Sequence, residues 1–257
     1  ALAEAGIREV GIIVGDTAKE IEQAVGDGAR WGLEVTYIPQ PEPLGLAHAV
    51  LTAEPYLGTT PFLMYLGDNL LTGGVKSLVE AFEARRPNAL ILLAEVPNPQ
   101  EFGVAQLEGE RVVRLIEKPK EPPSNLALVG VYLFDSHIFE AARAIKPSWR
   151  GELEITDAIQ YLIDQGYTVE WQKITGWWKD TGNLESLLEA NRLVLEELPP
   201  RLQGTLEETE AFGRVSVGEG SVLRRCVVRG PAIIGANCLL EECYIGPFTA
   251  IGDGVRM

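Results

Sequence analysis

Two aspartates in distant segments carry the clearest chemical signal in this sequence. Asp68 follows the apolar run 62–66, which predicts a buried strand, and ligands of open α/β sheets bind beyond the carboxyl ends of strands. Asp180 lies in the aromatic and glycine-rich segment 177–182, directly before a predicted helix. Two such carboxylates could share Mg²⁺, which takes one or two carboxylates together with phosphate oxygens and water. The alternatives are a turn or cap role for Asp68 and a helix N-cap role for Asp180.

The segment 40–50 leads from a predicted strand into a helix, with Gly45 at the bend. The Gln40 amide can donate and accept at once, as recognition of the imide edge of a pyrimidine requires. Glycine at the bend would let the backbone approach a ligand closely. An ordinary proline-rich turn fits the residues equally well, and His48 is interpreted as a helix-surface or partly packed histidine rather than a catalytic one.

Glu117 and Lys118 end another predicted strand with an acid beside a base. Side chains alternate between the two faces of a strand, so at most one of them follows the core side unless the strand has already ended. A solvated charge pair is the alternative interpretation.

These residues need elements that position them, and the sequence up to residue 197 alternates strand and helix patterns as α/β proteins do. The first predicted strands are 10–14, 34–38, 62–66 and 89–94, and the intervening helices are 18–29, 46–54 and 75–85. The runs 103–107, 111–117 and 128–134 lie closer together, which favours a mixed or antiparallel insertion. A helix over 184–197 is expected to close the domain, and Pro199-Pro200 ends it.

Beyond residue 212 the sequence repeats with a period of 17 residues. The repeat aligns Val217 with Ile234 and Cys226 with Cys243. We expect three short strands per row, with positions 217, 222 and 228 pointing inward as in a parallel β-helix; a set of ordinary hairpins is the alternative. The predicted organisation is a domain over 1–197, a linker over 198–211 and a β-helix over 212–257, with the domain incomplete at its N-terminus and the β-helix incomplete at its C-terminus.

Composition excludes several classes of protein. Apolar residues make up 46% and charged residues 23%, and no apolar run approaches the roughly 20 residues that span a bilayer, so we expect a globular protein without a membrane partner. The formal charge of -15 has the wrong sign for a protein that grips nucleic acid. Three cysteines crowded near the C-terminus favour neither a disulfide framework nor a zinc site, and a reducing cytoplasm fits best.

Seven segments occur in the same order as in a known enzyme family. They are 40–50, 66–69, 102–104, 117–119, 124–132, 150–157 and 178–182. In this series the chain resembles the sugar-nucleotide pyrophosphorylases, and most closely their thymidylyl-transferring long form. The resemblance implies a Rossmann-like α/β nucleotidyltransferase domain, built on a mostly parallel mixed sheet, followed by the start of a left-handed parallel β-helix.

The resemblance also implies roles for individual residues. Gln40 and Gly45 would contact the base, Asp68 and Asp180 would hold Mg²⁺, Lys118 would meet the sugar phosphate, and Gly103, Glu117, Leu128 and Trp178 would hold the sugar. The family's pattern is broken at Leu128-Val129, where the thymidylyl enzymes usually have Val-Thr. The family's glycine-rich phosphate loop, which carries Arg and is followed by Lys, has no counterpart in these residues, so we expect one wall of the nucleotide site to be missing from this chain.

The implied reaction is attack of a sugar 1-phosphate on the α-phosphorus of a nucleoside triphosphate, with release of pyrophosphate. dTTP and glucose 1-phosphate are the favoured substrates, and a homo-oligomer is expected. One alternative is a UTP-dependent uridylyltransferase acting on glucose or N-acetylglucosamine 1-phosphate, with an acetyltransferase activity in the tail left open. Another is a regulatory subunit that binds sugar nucleotide without turning it over.

Overall fold

The computed structural model describes residues 1–257, which form two compact units, Ala1–Trp178 and Lys179–Met257. No helix in the chain combines the length and the apolar character needed to cross a membrane. The first unit ends before the helix over 184–197 that was expected to close it.

The first unit contains five helices and a series of strands. The helices are α1 (Ala18–Val25), α2 (Leu46–Leu57), α3 (Lys76–Arg85), α4 (His137–Ala144) and α5 (Ile155–Asp164). The strands are β1 (Glu9–Val14), β2 (Glu34–Pro39), β3 (Phe62–Tyr65), β4 (Asn69–Leu71), β5 (Ala89–Glu95), β6 (Gly103–Glu108), β7 (Arg111–Glu117), β8 (Leu126–Phe134) and β9 (Val169–Lys173). The short strand β10 (Trp178–Asp180) spans the boundary between the units.

The first helix is shorter than predicted. A helix over 18–29 was expected, but α1 ends at Val25 because Gly26 and Gly28 adopt positive φ angles of 66° and 84°. Such angles suit glycine and interrupt a right-handed helix. The residues that follow form a separate 3₁₀ turn, Ala29–Trp31.

The central sheet is mixed, in the order β7-β6-β8-β5-β9 with β3 also paired to β8, and β1 and β2 form a separate parallel pair. The expected predominance of parallel strands is wrong for the central sheet. Its long strand β8 runs antiparallel to β3, β5 and β6. Strands β6 and β7 form an antiparallel hairpin. The parallel pair of this sheet is β5 with β9.

Strand β5 shows why this unit has three layers. Ile91 and Leu93 pack with helices α2, α4 and α5 on one face of the sheet, while Leu90 and Leu92 pack with α3 on the other. Alternation along a strand sends successive side chains to opposite faces, so an unbroken apolar run fits a strand that is covered on both sides. Among the candidate site residues of this unit, Gly103 begins β6, Glu117 ends β7, and Asp68 follows β3.

The second unit consists of helix α6 (Leu184–Glu197) and short strands in repeating rows. The strands are β11 (Arg201–Leu202), β12 (Thr205–Glu207), β13 (Glu210–Phe212), β14 (Val215–Val217), β15 (Val222–Arg224), β16 (Val227–Arg229), β17 (Ala232–Ile234), β18 (Leu239–Glu241), β19 (Tyr244–Ile245) and β20 (Thr249–Ile251). They form three parallel sheets, β11-β14-β17-β20, β12-β15-β18 and β13-β16-β19.

The predicted 17-residue register is confirmed. Val217 pairs with Ile234, which pairs with Ile251, in parallel strands. The predicted hairpin alternative is therefore wrong. Cys226 and Cys243 occupy equivalent positions of neighbouring rows, and Val227 N donates to the Cys243 carbonyl at 2.9 Å. All three cysteines are free thiols, as expected.

Two expectations for the tail need correction. The segment 198–211 was predicted to be a linker, but β11, β12 and most of β13 lie in it and pair with the following row, because Leu202, Leu206 and Ala211 align with its apolar positions. In the second strand of each row, the inward residues are Leu223 and Leu240, both fully buried, rather than Val222 and Leu239.

Helix α6 belongs to the second unit through contacts with the last row. Asn191 Nδ2 donates to the Phe248 carbonyl at 3.0 Å, and the Arg192 guanidinium lies 4.7 Å from the centre of the Phe248 ring. These contacts explain why the compact units divide before α6 rather than after it.

Candidate active site

A compact cluster surrounds the carboxylate of Glu117 at the end of β7. Gly103 is its partner across the β6–β7 hairpin, and the Thr156 hydroxyl lies 3.2 Å from Glu117 Oε2. A Cβ added to Gly103 would come 2.6 Å from Thr156 Cγ2, 3.1 Å from Glu117 Oε2 and 3.8 Å from Leu128 Cδ1. Three of the four residues expected to hold the sugar, Gly103, Glu117 and Leu128, therefore lie together, and only glycine fits at position 103.

Arg150 ties this cluster to the loop before α5. Its guanidinium lies 3.7 Å from Glu117 Oε1, 2.9 Å from Glu152 Oε1 and 3.4 Å from Glu154 Oε1. Glu154 is buried, and its Oε1 also accepts a hydrogen bond from Ser148 at 2.7 Å. Arg150 thus contacts three carboxylates, a role that the sequence did not reveal because Arg150, Glu152 and Glu154 alone look like a solvated charge run.

Burial raises the pKa of the Glu117 carboxyl above its ordinary value, and the negative charge of Glu154 raises it further. The Thr156 hydroxyl and the positive charges of Lys118 and Arg150 oppose this shift. Burial also raises the pKa of the Tyr132 phenol, and the charges of Glu117 and Asp68 add to that effect. The electrostatic influence on Tyr132 links the Glu117 cluster to the end of β3.

Asp68 lies in the turn between β3 and β4, where it is exposed, as the turn interpretation allows. Its Oδ1 accepts a hydrogen bond of 2.9 Å from the amide of the buried residue Asn69. Asn69 Oδ1 in turn accepts from the Gly130 backbone at 3.0 Å and from the Trp178 indole at 2.6 Å. Asp68 and Trp178 are therefore connected through one side chain.

Trp178 also reaches the segment that carries Glu117. Its ring packs edge-on against Phe102 with centroids 5.3 Å apart, and the Phe102 carbonyl accepts from Lys118 N at 3.0 Å. Lys118 is exposed, with a positive φ of 40° just past the end of β7. Because the strand has ended, strict alternation does not separate Lys118 from Glu117.

The segment 40–50 leads from β2 into α2, as predicted. Gln40 Nε2 lies 2.8 Å from His48 Nδ1, so the histidine fixes the orientation of the Gln40 amide. His48 is half-buried, which agrees with the interpretation of this histidine as partly packed. Gly45 precedes α2 and adopts a φ of 104°. Leu153 N donates to the Leu44 carbonyl at 2.8 Å, which joins this segment to the loop that holds Arg150.

Asp180 belongs to the second unit, where its Oδ1 accepts from Gly182 N at 2.8 Å. The cap of α6 is Asn183, whose side chain accepts from Ser186 N at 2.9 Å. The alternative role of Asp180 as that helix cap is therefore wrong.

Nowhere do three or more His, Cys, Asp or Glu side chains cluster as a metal cage would require. Mg²⁺ bound by one or two carboxylates and completed by phosphate and water does not need such a cage. The carboxylate of Asp68, at a strand end and oriented by Asn69, has the oxygen chemistry that this mode of binding uses.

Comparison with known proteins identifies the family of this chain. The nucleotidyl transferase family matches residues 1–197. A glucose-1-phosphate thymidylyltransferase of Streptomyces antibioticus is 58% identical over 260 residues, covering 100% of this chain and 73% of the relative. The enzyme of the same name from Streptomyces griseus is 54% identical over 255 residues, covering 98% and 72%.

A solved structure shows the same fold. A Bacillus anthracis protein, assigned as a glucose-1-phosphate thymidylyltransferase and solved with sucrose, has a TM-score of 0.70 and 35% sequence identity over 75% of this chain and 78% of its own. Together with the family match over most of the chain, these similarities establish that the protein belongs to the nucleotidyl transferase family.

Proposed function

We propose that the protein transfers a thymidylyl group from dTTP to glucose 1-phosphate, giving dTDP-glucose and pyrophosphate. The observation that carries the proposal is the grouping of Gly103, Glu117 and Leu128 in one cluster, which the Phe102–Trp178 ring contact joins to the Asp68 turn. Relatives that are 58% and 54% identical and bear this enzyme's name support the choice of substrates.

The chemistry requires alignment more than acid or base catalysis. A sugar 1-phosphate is already an anionic nucleophile near neutral pH, so the protein has to position it in line with the α-phosphorus and offset the accumulated charge. Glu117, with Thr156 and Arg150 around it, would orient the sugar hydroxyls, and Lys118 would guide the phosphate oxygen. The Gln40 amide, held by His48, would accept and donate at the imide edge of thymine.

Mg²⁺ is part of the proposal, with Asp68 and Asp180 as its protein ligands. When bound, it would neutralise phosphate charge in a protein whose own formal charge is -15. A crystal structure with Mg²⁺ and nucleotide should bring both carboxylates to the ion. A separation of more than about 8 Å, too far for two ligand bonds of about 2.1 Å, would exclude a shared site.

Three finer features complete the proposal. The rows of the second unit would form a left-handed β-helix, which the parallel 17-residue register and the resemblance to the long form of the sugar-nucleotide pyrophosphorylases support. The protein would work in the cytoplasm, where neighbouring cysteines such as Cys226 and Cys243 stay reduced. It would also act as a homo-oligomer, which light scattering of the full-length protein would test.

The decisive experiment is a substrate matrix on the full-length protein. Pyrophosphate release would be measured with dTTP, UTP, GTP and ATP, each combined with glucose 1-phosphate and N-acetylglucosamine 1-phosphate. We expect the highest kcat/KM with dTTP and glucose 1-phosphate. A preference for UTP would favour the uridylyl alternative, because thymine and uracil present the same imide edge to Gln40. Binding of dTDP-glucose without turnover of any pair would favour the regulatory alternative.

A further inference from the structure

Asn69 is a buried polar side chain placed between exposed residues. It is 3% exposed, whereas Asp68 and Leu70 on either side are exposed. Burying an amide is unfavourable unless its donors and acceptor find partners, so such a residue needs a reason to be there.

The hydrogen bonds of Asn69 fix the orientation of its amide. Its oxygen accepts from the Gly130 backbone N–H and from the Trp178 indole N–H, both of which can only donate. The oxygen must therefore face these two groups, and the NH₂ end is left to donate to Asp68 Oδ1 at 2.9 Å. A flipped amide would set donors against donors and also lose the bond to Asp68.

Gly130 makes the space that this amide needs. A Cβ added there would lie 2.7 to 2.8 Å from the three amide heavy atoms of Asn69. Gly130 does not have a positive φ, so its backbone conformation does not require glycine. The absence of a side chain at position 130 is explained by the Asn69 amide that packs against it.

We propose that Asn69 is a positioning residue that sets the carboxylate of Asp68 and the indole of Trp178 in one fixed relationship. This inference rests on the proposed function, in which Asp68 binds the metal and Trp178 contacts the sugar. It adds that one amide couples these two parts of the site, so its loss disturbs metal affinity and sugar affinity together.

Two variants of the full-length protein test this role by different routes. Asn69→Leu keeps a branched side chain of similar length but removes all three side-chain hydrogen bonds. Gly130→Ala keeps the asparagine but pushes its amide away. Leu78 lies in the apolar core against which Trp178 packs. Leu78→Ala therefore serves as the control, because it lowers stability without removing a polar contact.

The primary readout is Mn²⁺ affinity without substrates, measured from the electron paramagnetic resonance signal of the free ion, with folding checked by circular dichroism. Residues that orient a metal ligand typically change metal affinity by about 10- to 100-fold when they are replaced. We expect both variants to weaken Mn²⁺ binding by about tenfold or more and to raise KM for glucose 1-phosphate. Leu78→Ala should lower Tm and leave Mn²⁺ affinity unchanged.

The inference is overturned if either site variant folds and keeps both Mn²⁺ affinity and KM within about twofold of the parent, since a merely structural residue would behave like Leu78. If Asn69→Leu fails to fold, Gly130→Ala decides. Asp68→Asn separates this outcome from failure of the proposed function. If Asp68→Asn loses Mn²⁺ affinity but the Asn69 and Gly130 variants keep it, only the inference fails; if Asp68→Asn also keeps it, the metal role of Asp68 fails.

Discussion

The Cα of Gly45 lies directly against the backbone of Leu153. A Cβ added to Gly45 would come 2.6 Å from the carbonyl oxygen of Leu153 and 2.8 Å from its nitrogen. The same segments are joined by a hydrogen bond from Ala47 N to the Leu153 carbonyl at 3.0 Å. Glycine at position 45 is thus explained by packing that does not depend on a ligand, and the segment 40–50 packs against the loop that carries Arg150.

Gly45→Ala should therefore destabilise the protein. Its φ of 104° is unfavourable for alanine, and the new methyl group would collide with backbone, which cannot swing aside as a side chain can. We expect a loss of more than about 1 kcal/mol, measured by denaturant unfolding of the first unit.

Gly15→Ala is the matched control. Gly15 lacks a positive φ, and a Cβ there would meet nothing within 4 Å. Its stability should stay the same or rise slightly, because alanine restricts the unfolded chain. Equal stabilities of the two variants would contradict the packing role assigned to Leu153.

Glu117→Gln should separate stability from function. The folded-state pKa of Glu117 is raised above its ordinary value of 4.5, mainly by burial. A carboxyl group whose pKa is raised on folding contributes stability that is present below pH 4.5 and is lost as the pH rises through the folded-state pKa. At neutral pH the charged carboxylate of Glu117 therefore lowers the free energy of unfolding.

The expected result is a higher Tm than the parent at pH 7, with a difference that shrinks as the pH falls toward 4.5, together with a higher KM for glucose 1-phosphate. Thermal unfolding across this pH range is the measurement, and Glu121→Gln, at an exposed position, is the control. A Tm below that of the parent at every pH would show that the Arg150 ion pair outweighs the cost of burial.

Asp68→Asn and Asp180→Asn should each remove most turnover while leaving Tm nearly unchanged. Both replacements remove the negative charge of a proposed Mg²⁺ ligand without altering apolar packing, and activity with saturating substrates should fall by about 100-fold or more. Glu80→Gln, which breaks only an exposed ion pair with Lys76, should keep full activity. Full turnover of either aspartate variant at ordinary Mg²⁺ would disprove the two-carboxylate mechanism.

Local sequence patterns predicted most elements of the fold, because they depend on nearby residues. The strand Arg111–Glu117 and the helix Leu184–Glu197 match their predicted bounds, since each combines a clear apolar period with an unambiguous end. The close spacing of the runs 103–107, 111–117 and 128–134 predicted a mixed or antiparallel insertion, which the antiparallel pairing of β6 with β7 and β8 confirms. The antiparallel pairing of β8 with β3 and β5 could not be predicted from the residues of β8 alone. An apolar run fits a parallel and an antiparallel neighbour equally well, and only long-range packing decides between them.

The candidate site likewise contains residues that the local sequence predicts and residues that only long-range contacts identify. Glu117 and Asp68 could be found because they end predicted strands, but Arg150 and Asn69 could not be recognised as central. Their importance comes from partners far away in sequence, such as Glu117 for Arg150 and Gly130 for Asn69. Such roles become visible only when the fold brings the segments together.

The tail offers a sharp test of which side chains point inward. Leu239 and Leu240 are neighbours in β18. Leu240 is fully buried in the apolar core of the second unit, whereas Leu239 is only half-buried. Leu240 shares this core with Leu223 of the preceding row and with Ile234. Replacement by alanine should therefore have very different consequences at two adjacent positions of identical chemistry.

Leu240→Ala should destabilise the second unit by about 2 to 5 kcal/mol, since it leaves a cavity between stacked strands that cannot easily collapse. Leu239→Ala should cost about 1 kcal/mol or less. All five tryptophans lie in the first unit, so indole fluorescence would miss this transition. Hydrogen exchange of the β14 to β20 amides, with far-ultraviolet circular dichroism, follows it directly. If Leu239→Ala proved the more damaging change, the inward face of the second strand would be the one first predicted from the repeat, and the corrected orientation of every row would be wrong.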